Sequence, residues 1–255
     1  MRQRVIKTVN DILLQAKSFF KFHEGERSVE ATFKYFTEHP VAPLNRKRLA
    51  MLLENVEAHA DRAGRRLRVL DLACGGGLIT CAIAQLGHRS LGLDLSPEEV
   101  SWACRFAANA KCPGDFAVAD LVEDPAWERS VEATLKGKPD IVVLAYALHH
   151  LPRVEEFLAR LGRWLEPGAC LVINEENPLS PMFQLKHAVR TRVQKDTDVE
   201  WHRTYRGWKQ MLEQRGFQTM KPSGADVVPG LATIAPSVCW SLVFAACRTN
   251  GTPAA

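Results

Sequence analysis

Two aspartates and a run of glycines carry most of the chemistry legible in this chain. In "VLDLACGGGLITCAIA", residues 69–84, an apolar run ends around Asp71, passes Ala73 and Cys74, and reaches Gly75, Gly76 and Gly77 before helix-forming residues resume. A turn without side chains lets a ligand lie against main chain, and the unpaired N–H groups of the following helix face the same opening. A second carboxylate, Asp94 in "LGLDLS", closes the next apolar run. That is where an acidic side chain accepts hydrogen bonds from ribose hydroxyls in a nucleotide-binding half-sheet. A tight turn and a helix cap are the plain structural readings of the same residues.

Three observations narrow the ligand class. No Gly-Lys-Ser/Thr follows the glycines, which excludes a P-loop. The dinucleotide pattern G-x-G-x-x-G is met by Gly75 and Gly77 but fails at Thr80. Asp71 beside the turn repels a pyrophosphate, whereas it attracts an ammonium and suits a cationic sulfonium.

The elements that must position these groups follow from periodicity. Short apolar runs at 67–73, 90–96, 115–121, 139–146 and 169–175 alternate with helical stretches at about 78–86, 97–110, 127–135 and 154–165. Strands apolar on both faces, separated by helices, predict a parallel sheet covered on both sides. The expected fold is α/β: a Rossmann-like doubly wound, mostly parallel seven-stranded sheet with helices on both faces, an N-terminal helical lid and a helical insertion after strand 5. Ligands of such sheets bind beyond the carboxyl ends of the strands. Residues 1–64 are expected to form a helical region, lid or docked; 65–177 the ligand-binding core; 178–216 a helical substrate cap; and 217–250 the strands that complete the sheet. Val5, Val9, Ile12, Ala16 and Phe19 or Phe20 share one helical face. A second helix is expected from Asn45, as N-cap, to Ala63, with Gly64 as its stop.

"VLDLACGGGLIT", followed in order by "LGLDLSPEEVSWACRFAAN", "FAVADL", "PDIVVLAYALHHL" and "LGRWLEPGACLVINEEN", resembles the motif series of the class I S-adenosylmethionine-dependent methyltransferases. The likeness covers about residues 66–177 and extends to the small-molecule enzymes of quinone and secondary-metabolite biosynthesis. It implies S-adenosyl-L-methionine as cofactor and S-adenosyl-L-homocysteine as product. By the same resemblance Ala73, Gly75 and Gly77 would touch the cofactor through main chain, and Asp71 would hold its amino group. Asp94 would bind the ribose hydroxyls, with Leu95 against the adenine face. Asp120 would accept the adenine amino group, with Leu121 on the ring's other face, and Ala145 and Tyr146 would lie next to the reactive methyl.

The acceptor side is less patterned. His149 and His150, with Tyr146 just before them, fall past the fourth strand. Neutral imidazole there suits removal of a proton from a phenol, alcohol or thiol, although a histidine pair can equally fix the loop. Glu175 and Asn177 follow the fifth strand on the ligand side. His202, Tyr205 and Arg206 could hold an aromatic or anionic acceptor, while Trp201, Tyr205 and Trp208, at i, i+4 and i+7, also fit a helix face packed on the sheet. No metal is expected, because Asp140 should begin its strand at the end opposite Glu175.

Composition bounds the rest. A chain of 255 residues suits one large domain with decorations. Its net charge of +4 is mild and argues against nucleic acid as the partner, although residues 178–216 alone carry eight Lys plus Arg against four Asp plus Glu. Seven scattered cysteines show no C-x-x-C spacing and fit a reducing cytoplasm. No apolar run approaches the roughly 18 residues of a membrane span. The expectation is a cytoplasmic enzyme moving a methyl group by in-line displacement to an O, N or C atom of a small-molecule acceptor, its oligomeric state left open. An RNA or protein methyltransferase and a non-catalytic S-adenosylmethionine-binding partner protein are the alternatives.

Overall fold

The first strand, β1 (Arg68–Leu72), serves two cores at once. Leu70 and Leu72 join the apolar layer on one face of the sheet and Val69 the layer on the other, as strand alternation requires. The computed structural model describes residues 1–23, 33–193, 202–225 and 239–249. In chain order they form α1 (Arg2–Phe22), a single helical turn at Tyr35–Thr37, α2 (Ala42–Ala63), β1, α3 (Leu78–Gln85), β2 (Arg89–Asp94), α4 (Pro97–Asn109) and β3 (Asp115–Val118). There follow α5 (Trp127–Leu135), β4 (Ile141–Ala145), α6 (Val154–Trp164), β5 (Cys170–Glu176), α7 (Pro181–Val193), α8 (Tyr205–Glu213), β6 (Phe217–Thr219), β7 (Ser223–Ala225) and β8 (Ser241–Arg248).

The sheet runs β3-β2-β1-β4-β5-β8-β6. Strands β1 to β5 are parallel to their neighbours, and β8 returns antiparallel to β5. β6 pairs with one end of β8 and β7 with the other, so eight strands fill the seven expected positions. Strand order reverses between β1 and β4, which makes their carboxyl ends the switch point where ligands of such folds bind. Two strands stop earlier than the apolar runs suggest. After β2, Ser96 caps α4 by accepting from Glu99 N–H, and after β3 Asp120 turns the chain by accepting from Val122 and Glu123 N–H.

Helices α5, α6 and α8 cover one face, through Trp127, Val131, Leu158, Leu161, Trp208 and Leu212. Helices α1 to α4 cover the other. Val5, Ile12, Phe19 and Phe20 of α1 are each at most 3 % exposed. Four such side chains contribute roughly 6–12 kcal/mol of gross burial free energy, which docks residues 2–22 on this face of the core. Helix α2 begins at Ala42, with Pro43 in its first turn, not at Asn45. Asn45 is buried inside the helix and accepts from Arg48 Nη1, while Gly64 stops the helix in a left-handed conformation as expected.

One cysteine pair departs from the sequence expectation. Cys170 and Cys247 face each other across β5 and β8 and are joined as a disulfide; Cys74, Cys81, Cys104, Cys112 and Cys239 form no disulfide. The partners are 77 residues apart, so only the strand register brings them together. Among the described residues no helix is long and apolar enough to cross a membrane.

Candidate active site

The glycine turn after β1 is shaped by what would collide with it. Gly77 has φ +80°, and a Cβ there would lie 2.7 Å from Phe116 Cε1 and 2.8 Å from Ala103 Cβ. A Cβ on Gly92, beneath the turn, would meet Cys74 Sγ and Thr80 Oγ1 at 2.8 Å. Both glycines let backbone pack where no side chain fits. Ala73 (φ +56°) and Tyr146 (φ +57°) also hold left-handed backbone, a conformation that costs about 1–2 kcal/mol in a non-glycine residue. Ala73 follows β1 and Tyr146 follows β4, so two of the four non-glycine residues with such backbone among the described residues sit at the switch point, Lys111 and Lys136 lying elsewhere.

Asp71 lies on the floor of this turn, 1 % exposed, and accepts a 2.6 Å hydrogen bond from Thr80 Oγ1. Burial pushes its carboxyl up to about 7, partly opposed by the Thr80 bond and reinforced by the negative charge of Asp94. Thr80, the residue that spoils the dinucleotide pattern, is thus the partner of the acidic group. Asp94 spans the turn: Oδ2 accepts from Gly75 N–H at 2.8 Å and Oδ1 from Ser96 N–H at 2.9 Å.

Beyond β2 and β3 two apolar side chains face solvent, Leu95 at 65 % and Val118 at 50 % exposure. Leu121, by contrast, is buried against the core around Trp127. Asp120 uses Oδ1 for the Val122 and Glu123 amides, which hold its carboxyl below the usual range and leave Oδ2 without a partner among the described residues. Main chain at an open turn, apolar surface beside it and two carboxylates with spare lone pairs fit an adenosine carrying an amino acid.

On the other side of the switch point the two histidines separate. His150 is exposed, whereas His149 is 5 % exposed and meets Glu175 Oε2 through Nδ1 at 2.5 Å. The other Glu175 oxygen accepts from Leu148 N–H at 2.9 Å. Glu175, 2 % exposed, therefore orients His149 instead of facing an acceptor. His202 stacks on His149 with ring centroids 4.6 Å apart and meets Phe183 edge-on. His149, Glu175 and His202 offer ligand atoms within 4.8 Å of one another, although both Glu175 oxygens are already engaged. Asp140 begins β4 at the opposite end; burial would raise its carboxyl, but bonds from Arg65 and Arg68 hold it at about 2.

Three expected acceptor contacts lie elsewhere. Asn177 is fully buried and ties its loop to β8, donating Nδ2–H to Cys239 O at 2.9 Å and its backbone N–H to Trp240 O. Tyr205 packs edge-on against Phe244 and donates its hydroxyl to Met220 O, and Trp208 is buried in the same layer. Arg206 lines an outer groove with Lys209, Gln210 and Glu213. The helix-face reading thus describes Tyr205 and Trp208, while Trp201 lies outside the described residues. The sequence does not single out Arg48, whose guanidinium lies near the rings of Tyr146 and Trp240, or Trp240 itself. The available signal was a basic residue between Leu44, Leu49 and Leu52 on the apolar face of α2.

Asp94→Ala is expected to weaken S-adenosylhomocysteine binding about 30-fold, roughly 2 kcal/mol, because charge-assisted bonds to the ribose are lost. Calorimetric titration checks this, and an unchanged affinity rejects the ribose assignment.

Comparison with known proteins agrees with the geometry. The family described as "Methyltransferase domain" matches residues 44–221. The ubiquinone biosynthesis O-methyltransferase of Xanthomonas oryzae pv. oryzae is 33 % identical over 148 residues, 58 % of this chain and 56 % of that protein. The protein of the same description from Caulobacter vibrioides is 27 % identical over 193 residues, 72 % of each chain. The chain thus spans little more than half the length of the first of these relatives. Among solved structures, the magnesium protoporphyrin IX methyltransferase of Synechocystis PCC 6803, crystallised with S-adenosylhomocysteine, superposes with TM-score 0.60 at 17 % identity, covering 83 % of this chain and 88 % of that one. An S-adenosylmethionine-dependent methyltransferase from Mesorhizobium loti gives TM-score 0.54 at 22 % identity, covering 71 % and 91 %. Such likeness shows a shared fold. The chain belongs to the methyltransferase-domain family, with the fold and the motif order of the class I S-adenosylmethionine-dependent methyltransferases.

Proposed function

We propose that this protein methylates a hydroxyl group of a small aromatic acceptor, with His149 as the base that receives the hydroxyl proton. The observation that carries this reading is the buried His149–Glu175 pair at the carboxyl ends of β4 and β5. A carboxylate on Nδ1 fixes the tautomer that leaves Nε2 as the basic nitrogen. When bound, S-adenosylmethionine supplies an activated methyl group on a sulfonium. Ala73, Gly75 and Gly77 would hold it by main chain, Asp94 and Asp120 by their carboxylates, and Leu95 by contact. Tyr146 and the His149 loop border the place where acceptor and methyl must align, and buried Phe183 and Trp240, with half-buried His202 edge-on to Phe183, would help exclude water.

The ubiquinone O-methyltransferase relatives favour a ring hydroxyl and a role in quinone-like or secondary-metabolite biosynthesis. Five cysteines outside any disulfide favour the cytoplasm, with Cys170–Cys247 as the exception. A net charge of only +4 favours a small molecule over RNA. The test is transfer of a deuterated methyl group from S-adenosylmethionine to catechol, read by mass spectrometry, with and without EDTA. Transfer is expected at the same rate in both, because Glu175 spends both oxygens on Leu148 and His149. Loss of transfer with EDTA, restored by a divalent cation, would instead make His149, Glu175 and His202 a metal site.

A further inference from the structure

Helix α2 carries a buried cation that forms no ion pair among the described residues. Arg48 is 4 % exposed. Its Nη1 donates to Asn45 Oδ1 at 2.8 Å, but Nε and Nη2 have no hydrogen-bond partner. No carboxylate among the described residues pairs with it. Its guanidinium carbon lies 5.2 Å from the ring centroid of Tyr146 and 5.6 Å from that of Trp240. The Tyr146 hydroxyl, also buried, makes no hydrogen bond of acceptable geometry, although the polar side chains of Ser241 and Asn174 lie beside it. Glu176 acts electrostatically on Tyr146 without pairing with Arg48.

Taking an ion out of water costs several kcal/mol even after the protein relaxes, and cation–π contacts with two rings return only part of that. The unused nitrogens are not scattered. Nε and Nη2 form one edge of the planar guanidinium, the fork that binds a carboxylate through two parallel N–H···O bonds. Helix α2 packs on β5, β7 and β8, and Leu44 on the same helix closes over Phe183 and Trp240. The fork is therefore walled in beside Tyr146, three residues before His149, on the acceptor side of the switch point.

The structure assigns Arg48 as the receptor for a carboxylate on the acceptor, with the Tyr146 hydroxyl as a neighbouring donor, so that the substrate class is a hydroxylated aromatic acid. The assignment rests on the acceptor pocket proposed above. It makes Arg48 a specificity-determining residue, because a neutral acceptor of the same shape leaves the fork unpaired and the desolvation uncompensated.

The experiment compares 3,4-dihydroxybenzoate with its neutral isostere 3,4-dihydroxybenzamide, each titrated into the full chain in the presence of S-adenosylhomocysteine. Wild type is expected to bind the acid at least roughly tenfold more tightly, the scale of a hydrogen-bonded charge pair. Arg48→Met should erase the preference while leaving S-adenosylhomocysteine affinity unchanged, and Arg48→Lys, which keeps the charge without the fork, should fall between. An equal response of wild type to the two probes, including none to either, overturns the assignment, as does a preference that survives in Arg48→Met. The wild-type comparison stands even if a variant does not fold. Failure of this assignment is distinguishable from failure of the hydroxyl-transfer reading. In the first case methyl transfer to catechol persists without acid preference; in the second the acid binds preferentially and no acceptor is methylated.

Discussion

Asp71→Asn is expected to make the protein more stable above neutral pH while costing it at least tenfold in cofactor affinity. The carboxyl of Asp71 is buried on the floor of the glycine turn, and burial raises it from an ordinary value of 3.8 to about 7. The unfolded chain releases this proton near pH 4, whereas the folded chain keeps it until about pH 7. Between those values the folded state binds more protons, so stability falls as pH rises, and the loss is complete above pH 7. Three pH units correspond to roughly 4 kcal/mol. Asparagine keeps the oxygen that accepts from Thr80 and carries no charge. At pH 8 the variant should melt on the order of 8–16 °C above wild type, and at pH 4 the two should coincide. Thermal melts across pH, with calorimetric titration of S-adenosylhomocysteine at pH 8, check both halves. A variant less stable than wild type at pH 8 would show that the carboxylate is a structural group. The expected pattern is that of a binding residue kept at the expense of stability.

The same residue shows how far the sequence could be read. Asp71 and Asp94 were legible because strand ends and a glycine turn are local patterns, and local patterns also placed the helices beginning at Leu78, Pro97, Trp127 and Val154. Register and reach are not local. Nothing near Cys170 announces Cys247, because the pairing depends on how β8 returns beside β5. The two histidines look alike in sequence, and only the position of Glu175 on the neighbouring strand decides which is buried and oriented. Tyr205 and Arg206 looked like acceptor contacts because aromatic and basic residues crowd there. Helix α8 instead packs on the face beneath β6 and β8, where Tyr205 serves the core. Arg48 was missed because it lies outside every motif and its use depends on Tyr146 and Trp240, which arrive from distant strands. Cofactor geometry is built by contiguous turns, whereas acceptor geometry is assembled from α2, α7, the β4 loop and the start of β8.

That contrast makes Glu175→Gln the sharper test of the chemistry. Glu175 Oε1 accepts from Leu148 N–H, and glutamine can keep that bond through its carbonyl oxygen. The group then facing His149 Nδ1 is an NH2, a donor where a carboxylate accepted. Nδ1 must become the acceptor, so the proton moves to Nε2 and the ring no longer presents a basic nitrogen there. General-base catalysis contributes roughly 10²–10⁴-fold. Glu175→Gln should therefore lower kcat for methyl transfer about 10²–10³-fold and change the KM for S-adenosylmethionine little, since Asp94 and the glycine turn are untouched. His149→Ala should fall to a similar rate, and the double variant should be no slower than either, because the pair acts as one unit. Raising the pH should recover part of the lost rate as the acceptor hydroxyl ionises unaided. A purely structural Glu175 predicts another outcome: lower thermal stability, unchanged kcat per folded molecule and additive losses in the double variant. Rates normalised to the folded fraction separate the two, and equal kcat in wild type and Glu175→Gln returns His149 to fixing the loop.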